Sequence, residues 1–300
     1  MVVITVDTKT VALMQQTYQQ YIIPNEGEYV DFCAKHLGVV ITAYKSKKAN
    51  KKVTFQGNGE LEEARLWDPS ATVTVAKSKV QTNWVCFEDQ IGSDEVGVGD
   101  FLLPMIVVAA FVRGKDMKTL KEFGVDDSKK LKDAEILKMG PELVKKFFFS
   151  KLTLPNEKYN EMIEKGENLN SLKAKMHNRA LLNMVKQYPD VKNIFVDEFA
   201  KEETYYKYLN DKNEVKVGDI TFRTKGESYY PCVALASVIA RYAFLLEKET
   251  LSKKYKMEFP FGASGKVDEF AKKFIAKYGI EEFNKIAKKN FKNYSEAIKK

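Results

Sequence analysis

The most constraining feature of the sequence is an acidic pair, Asp94 and Glu95, that lies among glycines between two apolar runs. The runs cover residues 84–87 and 101–112, and the glycines are Gly92, Gly97 and Gly99. Neighbouring side chains on a regular strand point to opposite faces, whereas glycine lets the backbone leave that geometry. The stretch predicts a strand ending in acid, a bent glycine turn and a second, buried strand. Taken alone, such a pair is also typical of a solvated turn.

The size and charge of the chain limit its class. Its 300 residues exceed the usual size of one compact domain, so we expect two. It carries 49 Lys and Arg against 41 Asp and Glu, a net charge of +8, and its pI is about 9.0. This balance favours a polyanionic partner, nucleic acid before membrane, because phosphates attract Lys and Arg at long range.

Cysteine usage indicates a reducing compartment. Cys33, Cys86 and Cys232 are far apart and odd in number, which predicts neither a zinc site nor a disulfide framework. A cytoplasmic location fits this pattern. The amino-terminal residues do not resemble a signal peptide, and no apolar run reaches the roughly 20 residues of a membrane span.

Hydrophobic periodicity divides the chain into two predicted domains. Residues 1–67 form a small α+β domain, with strands at 2–6, 29–35, 39–44 and 52–56, a helix from Thr8 and a short helix at 60–67. Residues 68–81 are polar and aperiodic, which indicates a linker. Residues 82–300 alternate strands with helices, the pattern of an α/β sandwich around one mixed sheet.

Several elements of the second domain are predicted by pattern. Residues 148–154 and 193–196 are strand-like, and the segment from Gly166 to Tyr188 is helical. Pro231 suits the first turn of a helix that is apolar nearly all round and therefore buried. The final residues, 268–300, give two basic amphipathic helices.

Two further acids occur in the same kind of context as the pair. Asp197 follows an apolar strand, and Glu227 lies just before the buried helix. Ligand sites in open α/β sheets collect at the carboxyl ends of strands, so we hypothesise that Asp94, Glu95, Asp197 and Glu227 converge on one cleft. Clustered carboxylates repel one another unless cations neutralise them. The alternative is that each acid is a separate surface group or helix cap.

A metal site built only from oxygen ligands prefers a particular class of ion. Without a Cys or His cluster, the four acids favour hard ions such as Mg²⁺ or Mn²⁺. Two ions roughly 4 Å apart would clamp the attacking water and the leaving oxygen of a phosphodiester. An acidic pocket in a basic protein then agrees with a nucleic acid substrate.

The order and spacing of several segments resemble ribonuclease HIII. These segments are GSDEVGVGDFLLPMIVVAAFV, DDSKKL, NLNSLKAKMHN, FVDEFA, and TKGES followed by ASVIARYAFL. The amino-terminal segment KKVTFQGNGELEEARLW resembles the TATA-binding-protein-like domain of that family. The likeness covers nearly the whole chain, and the glycine-flanked DE and TKGES elements are its most specific parts.

The resemblance implies a ribonuclease H-like fold and metal-dependent endonucleolytic cleavage of the RNA strand of RNA/DNA hybrids. This cleavage would leave 3′-hydroxyl and 5′-phosphate ends. It assigns the metal site to the same four acids. It assigns substrate contact to Gly97, Val98, Gly99, Ser128, Lys129, Lys130 and Lys225. Glycine in such a turn would let backbone groups approach a 2′-hydroxyl.

The sequence departs from the family pattern at two positions. Val98 replaces a more usual polar residue, which removes a side-chain hydrogen bond but leaves backbone contacts. Glu198 follows Asp197 where glutamine is commoner, so either acid could bind metal. Glu202 and Glu203 are interpreted as solvated helix charges.

Three other kinds of residue are given structural roles. His177 lies on a helix, where a lone histidine is more often hydrogen-bonded than catalytic. The tyrosines near the acids favour packing over base stacking. Ser237 lies in an apolar helix with no histidine near it in sequence, so packing is the better account.

Two alternative functions remain. One is ribonuclease HII-type incision at a single embedded ribonucleotide, and the other is a non-catalytic hybrid-binding protein. The amino-terminal domain and the GVG turn count against the first, and the four acids count against the second. We expect a monomer with no obligate protein partner.

Overall fold

The structure, a computed structural model, describes residues 2–24, 29–46, 49–72, 84–125, 131–210 and 215–299. The chain forms two compact units, residues 1–79 and 80–300. The division falls after Lys79, and residues 73–83 lie outside the described residues. The two-domain boundaries given above therefore stay a prediction.

The first unit is a four-stranded antiparallel sheet with helices packed on one face. Its strands have the order β1-β4-β3-β2. Their bounds are β1 Val2–Asp7, β2 Val30–His36, β3 Val39–Tyr44 and β4 Asn50–Gln56, and the helices are α1 Thr8–Thr17 and α2 Glu60–Arg65. Alternate strand residues share a face, and those facing the helices, such as Ile41 and Phe55, are fully buried. This is the α+β pattern that the sequence predicts.

The second unit is built on one mixed sheet with the order β7-β6-β5-β8-β9. The bounds are β5 Gln90–Val96, β6 Met105–Val112, β7 Phe148–Leu154, β8 Asn193–Asp197 and β9 Ile220–Arg223. β5, β6 and β7 pair antiparallel, while β8 pairs parallel with both β5 and β9. The predicted mixed sheet is confirmed. The predicted strand ending in acid is β5, which begins at Gln90 and contains both acids, whereas the apolar run at residues 84–87 lies before it in an irregular segment.

Helices cover both faces of this sheet. They are α3 Met117–Glu122, α4 Asp133–Lys146, α5 Asn156–Glu164, α6 Leu169–Gln187, α7 Glu202–Tyr208, α8 Pro231–Tyr255, α9 Gly265–Ile286 and α10 Lys292–Ala297. Every residue of β6 is buried, as expected for a strand covered on both sides. Val108 packs into the core that contains α8, and Val107 packs into the core that contains α6. The sheet therefore separates two hydrophobic cores.

α8 is the central helix of one face. Pro231 occupies its first turn, and most of its side chains up to Leu245 are buried, as the apolar sequence predicts. α9 contains a break at Gly279, which has a φ of 81°. Among the described residues, no helix combines the length and apolar character that a membrane span requires.

Candidate active site

The acidic pair lies inside a regular strand. β5 pairs with β6 without interruption, with Asp94 opposite Val108 and Glu95 opposite Val107. The backbone turns only after the strand, at Gly97, where φ is 84°. The predicted order of a strand with acids near its end, a glycine turn and a buried strand is confirmed, but the glycines do not bend the backbone at the pair itself. The unbroken ladder of hydrogen bonds keeps the two carboxylates on opposite faces of the sheet.

The face of β5 that carries Asp94 is turned toward α8. At Gly92, two residues earlier on the same face, an added Cβ would lie 2.4 Å from the sulfur of Cys232. The side chain of Asp94 is hydrogen-bonded to Ser237, also on α8. The absence of a side chain at Gly92 thus lets the first turn of α8 pack directly against the strand that carries the acid.

Asp94 and Asp197 lie near the carboxyl ends of two neighbouring parallel strands. Ser93 lies opposite Val196, so the two aspartates occupy the next position along β5 and β8. Burial raises the pKa of Asp94 well above its ordinary value, and the charges of Glu95 and Asp197 raise it further. The hydrogen bond from Ser237 acts in the opposite direction. These shifts are the electrostatic signature of carboxylates forced together.

A tight turn brings Gly226, the residue before Glu227, against Asp197. The backbone N–H of Gly226 donates to Oδ1 of Asp197 at 2.8 Å. A Cβ at Gly226 would lie 3.4 Å from the Cα of Asp197, so the turn approaches the strand closely. Glu227 is buried, whereas Lys225 is exposed and has the left-handed φ of 60°. The turn therefore places an acid inward and a lysine outward.

Glu95 occupies a different environment on the α6 side of the sheet. Its Oε1 forms an ion pair with Lys173, and its Oε2 lies 2.9 Å from Nε2 of His177. The other ring nitrogen of His177 is 2.8 Å from Oγ of Ser93, which shares the face of Glu95. Burial alone raises the pKa of Glu95, but hydrogen bonding and charge from His177, together with Lys173, lower it to about 2.

The donor chemistry of the site fits a hard divalent cation. Asp94 is buried beside Asp197 and Glu95, and a cation there would relieve the repulsion that raises the pKa of Asp94. In the structure as it stands, no three His, Cys, Asp or Glu side chains of the described residues are arranged to hold a metal ion. One reason is that Glu95 faces Lys173 and His177 instead of Asp94. The four-acid ligand set stays a prediction.

The three residues of the turn predicted to contact substrate lie in three different environments. Gly97 is tightly enclosed, since an added Cβ would lie 2.1 Å from the carbonyl oxygen of Pro104. Val98 is partly buried against the small hydrophobic cluster of Met105, Tyr159 and Leu172. Gly99 is exposed, and an added Cβ there would meet no atom within 4 Å. The turn is therefore anchored at its first residue and open at its last. Predicted contacts at residues 128–130 lie outside the described residues.

Sequence reasoning gave no role to Lys173 and treated Ser237 as packing. Both contact candidate acids, Lys173 as the ion-pair partner of Glu95 and Ser237 as a hydrogen-bond partner of Asp94. His177 is fully buried and hydrogen-bonded, as the structural interpretation predicts. Lys173 and His177 are four residues apart on α6, so their side chains share one helix face. The spacing of these two polar residues on a helix with a buried face was the sequence signal that could have indicated a shared polar partner.

Other candidates near the acids have structural roles. Tyr205 is fully buried, and Tyr230 stacks on Phe195 with ring centroids 3.8 Å apart. Glu202 and Glu203 are exposed at the start of α7, where the helix dipole favours acids. The carboxylate of Glu198 accepts a hydrogen bond from Thr224 at 3.2 Å.

Two protein-family models match the chain. The model described as Ribonuclease HII matches residues 91–294, which include the candidate site. The model described as Domain of unknown function (DUF3378) matches residues 1–80. Together these matches cover both units of the structure.

Relatives and solved structures extend the similarity over the whole length. Ribonuclease HIII of Listeria monocytogenes serotype 4b (strain CLIP80459) is 40% identical, over 99% of this chain and 97% of the relative. Ribonuclease HIII of Bacillus mycoides (strain KBAB4) is 39% identical over the same shares. A crystal structure of Bst-RNase HIII in complex with Mn²⁺ is 32% identical, with a TM-score of 0.69, and covers 99% of this chain and 97% of that one.

The fold is also similar to a more distant structure. Aquifex aeolicus RNase H3 is 19% identical, with a TM-score of 0.55, over 96% of this chain and 99% of that one. The predicted ribonuclease H-like fold is confirmed by these matches. At about 40% identity along nearly its whole length, the chain belongs to the ribonuclease HIII family.

Proposed function

We propose that this chain is an endonuclease that hydrolyses the RNA strand of RNA/DNA hybrids and leaves 3′-hydroxyl and 5′-phosphate ends. The observation that carries the proposal is that the buried Asp94 and the partly buried Asp197 occupy matching positions near the carboxyl ends of two adjacent parallel strands of a ribonuclease H-like sheet. Ligands of α/β sheets bind at this edge. The pair supplies oxygen ligands in a protein whose net charge of +8 suits a nucleic acid substrate.

The proposed cofactor is a pair of divalent ions, Mg²⁺ or Mn²⁺, held by Asp94, Glu95, Asp197 and Glu227. When bound, such ions activate water and stabilise the charge that develops on a phosphodiester. Asp94, Asp197 and the turn with Glu227 lie on the α8 side. Lys173 and His177 hold Glu95 at the strand end, and Ser237 orients Asp94.

The proposed substrate contacts lie beside these acids. Gly97, Val98 and Gly99 would present backbone groups to a 2′-hydroxyl, the group that distinguishes RNA from DNA. Lys225 is exposed two residues before the buried Glu227, so its ammonium can meet a phosphate while the acid faces inward. Ser128, Lys129 and Lys130 are proposed as further phosphate contacts. The first domain would add contacts that position a duplex without reading its sequence.

A cleavage assay tests the activity directly. We expect a uniformly labelled RNA/DNA hybrid to be cut with Mg²⁺ or Mn²⁺ and to stay intact in EDTA. The matched control is the corresponding DNA duplex, which should not be cut. Hybrid binding without cleavage under all metal conditions would instead support the non-catalytic alternative.

A second substrate separates this function from ribonuclease HII-type incision. We expect a long hybrid to be cleaved faster than a DNA duplex containing one ribonucleotide. The amino-terminal unit, which matches a separate family model over residues 1–80, distinguishes this chain from the Ribonuclease HII match alone. Faster incision at the single ribonucleotide would reverse the assignment. Cytoplasmic location and a monomeric state stay predictions.

The open end of the turn gives a sharper test of substrate contact. Gly99→Val should weaken hybrid affinity by about tenfold, because the side chain would occupy space that is open in the protein and that the backbone of a substrate would enter. The thermal unfolding temperature should not change, since no protein atom is displaced. Titration of a fluorescent hybrid in EDTA measures the affinity. An unchanged dissociation constant would remove Gly99 from the substrate site.

A further inference from the structure

A lysine in the carboxyl-terminal part of the chain is completely buried beside the glycine turn. Lys288 follows α9 and has 0% of its surface exposed. Lysine is almost never fully buried unless its ammonium is paired. The Nζ of Lys288 donates to the carbonyl oxygens of Gly97, at 2.6 Å, and Asp100, at 2.7 Å. The lysine therefore spans the residues predicted to contact substrate.

Backbone contacts strengthen the same attachment. The N–H of Lys288 donates to the carbonyl of Phe101 at 3.0 Å, and the N–H of Phe101 donates to Gly262 at 3.0 Å. The N–H of Gly262 in turn donates to the carboxylate of Asp100. Residues 97–101 are thus fixed from outside by two segments that are distant in sequence. Their conformation depends on the carboxyl-terminal region, not only on the local glycines.

The position of Lys288 is itself held by two buried asparagines of α5. Nδ2 of Asn156 donates to the carbonyl of Ile286 at 2.6 Å, and Nδ2 of Asn160 donates to that of Ala287 at 2.8 Å. The Oδ1 of Asn160 accepts from the N–H of Lys289 at 2.9 Å. A continuous series of hydrogen bonds therefore runs from α5 through residues 286–289 to the glycine turn.

Burial of this amine is energetically unfavourable, which indicates a role beyond filling space. Burial lowers the pKa of Lys288 to about 7, against the opposing effect of the charge of Asp100. A methionine would fill similar volume without that cost. A lysine has donors that methionine lacks. Two N–H groups remain on the neutral amine, so both carbonyls keep a donor on either side of this pKa.

We propose that Lys288 is a positioning residue for substrate, because its amine fixes the carbonyl groups of Gly97 and Asp100 and so sets the shape in which the 97–99 turn meets an RNA/DNA hybrid. This inference rests on the proposed function, in which that turn contacts substrate. Lys288 is buried behind the turn and does not itself touch substrate. Its effect is on binding geometry and not on the chemical step.

The test replaces the amine with an apolar chain of similar length. Lys288→Met should raise the KM for an RNA/DNA hybrid by about tenfold and leave kcat within about twofold, because two carbonyls lose their donor and the turn shifts. The ratio of affinities for hybrid and for DNA duplex, titrated in EDTA, should fall by a similar factor. The matched control is Lys289→Met, since the side chain of Lys289 reaches only the exposed region near Glu164. The control should match wild type in both measurements.

The outcomes separate this inference from the proposed function. If wild type does not cleave the hybrid, the proposed function fails whatever Lys288 does. If wild type cleaves and a folded Lys288→Met has unchanged KM and unchanged affinity ratio, the positioning role is overturned. Should that variant not fold, Asn160→Ala decides, because it loosens residues 286–289 and keeps the lysine. It should raise KM about threefold at constant kcat, and an unchanged KM would overturn the inference.

Discussion

Asp94 and Glu95 are neighbours in sequence, yet they lie in opposite electrostatic environments. On the α8 side, burial and adjacent carboxylates raise the pKa of Asp94. On the α6 side, His177 and Lys173 outweigh burial and lower the pKa of Glu95 to about 2. One strand thus separates Asp94, whose charge is destabilised by burial and repulsion, from Glu95, whose charge is stabilised by cationic partners. Carboxyl groups with divergent pKa values are characteristic of sites that perform acid, base or metal chemistry.

The comparison indicates that Asp94 and Glu95 have different roles at the strand end. The repulsion on the Asp94 side is an unfavourable free energy that a bound cation would remove, so this side is prepared for ligand binding. The cationic partners of Glu95 fix that side chain before any ligand arrives. Three variants test the difference, in order of decreasing effect.

The largest effect is expected for Asp94→Asn. Turnover of the hybrid should fall by about a thousandfold, because a metal ligand loses its charge. In EDTA at pH 7 the free energy of unfolding should rise by about 1 kcal/mol, because the repulsion with Asp197 and Glu95 is removed. Steady-state cleavage and urea unfolding measure the two quantities.

The pH dependence of the Asp94→Asn effect follows from the raised pKa. The native wild type takes up a proton at Asp94 more readily than the unfolded chain, so low pH stabilises it. The stability gain of the variant should therefore shrink as the pH falls toward 3.8, the ordinary value. Asp190→Asn, at an exposed position, is the control and should leave both activity and stability unchanged. Near-normal hydrolysis by Asp94→Asn would exclude Asp94 as a metal ligand.

For Glu95→Gln we expect the free energy of unfolding to change in the opposite direction. The free energy of unfolding at pH 7 should fall by about 3 kcal/mol, because the buried ammonium of Lys173 loses its partner. The native pKa lies below the ordinary 4.5, so the contribution of Glu95 is complete above about pH 4.5 and is lost as the pH falls toward 2. Urea unfolding between pH 7 and pH 3 should show the difference from wild type shrinking. A pH-independent difference would mean that Glu95 is not held by these cations.

The smallest effect is expected for two glycines, Gly92 within β5 and Gly99 in the turn that follows it. Gly92→Ala should lower the free energy of unfolding by about 2 kcal/mol, because its Cβ would overlap Cys232 and Val233 of α8. Gly99→Ala is the matched control and should change it by less than about 0.5 kcal/mol, since the position is open. Thermal melts of both variants compare them. Equal melting temperatures would contradict the close approach of α8 to β5.

Much of the fold was predictable because local pattern and tertiary environment agree. The apolar run at residues 101–112, predicted as a buried strand, contains β6, and the segment from Pro231 forms the buried helix α8. The strand 148–154 was predicted with the bounds that the structure has. The apolar run at residues 84–87 forms no strand, and its Val85 and Phe87 are exposed, because a short apolar run by itself specifies neither a strand nor burial.

The candidate site was predictable only in part. Acids at strand ends pointed to Asp94 and Asp197, since parallel strands bring their carboxyl ends to one edge. Nothing local indicates that Lys173 and Lys288 are buried, because lysine is ordinarily exposed and sequence carries no record of its distant partners. The strand register turns the side chain of Glu95 to the face opposite Asp94, which the position of the acids near the strand end does not reveal.

The sequence by itself determined the family, the alternation of strands and helices, and which acids stand at strand ends, because these depend on composition and on short-range periodicity. Only the tertiary structure decided which face each acid occupies and which cations hold it. Those properties depend on strand register and on side chains such as His177, Lys173 and Lys288, which are distant in sequence from the groups they contact.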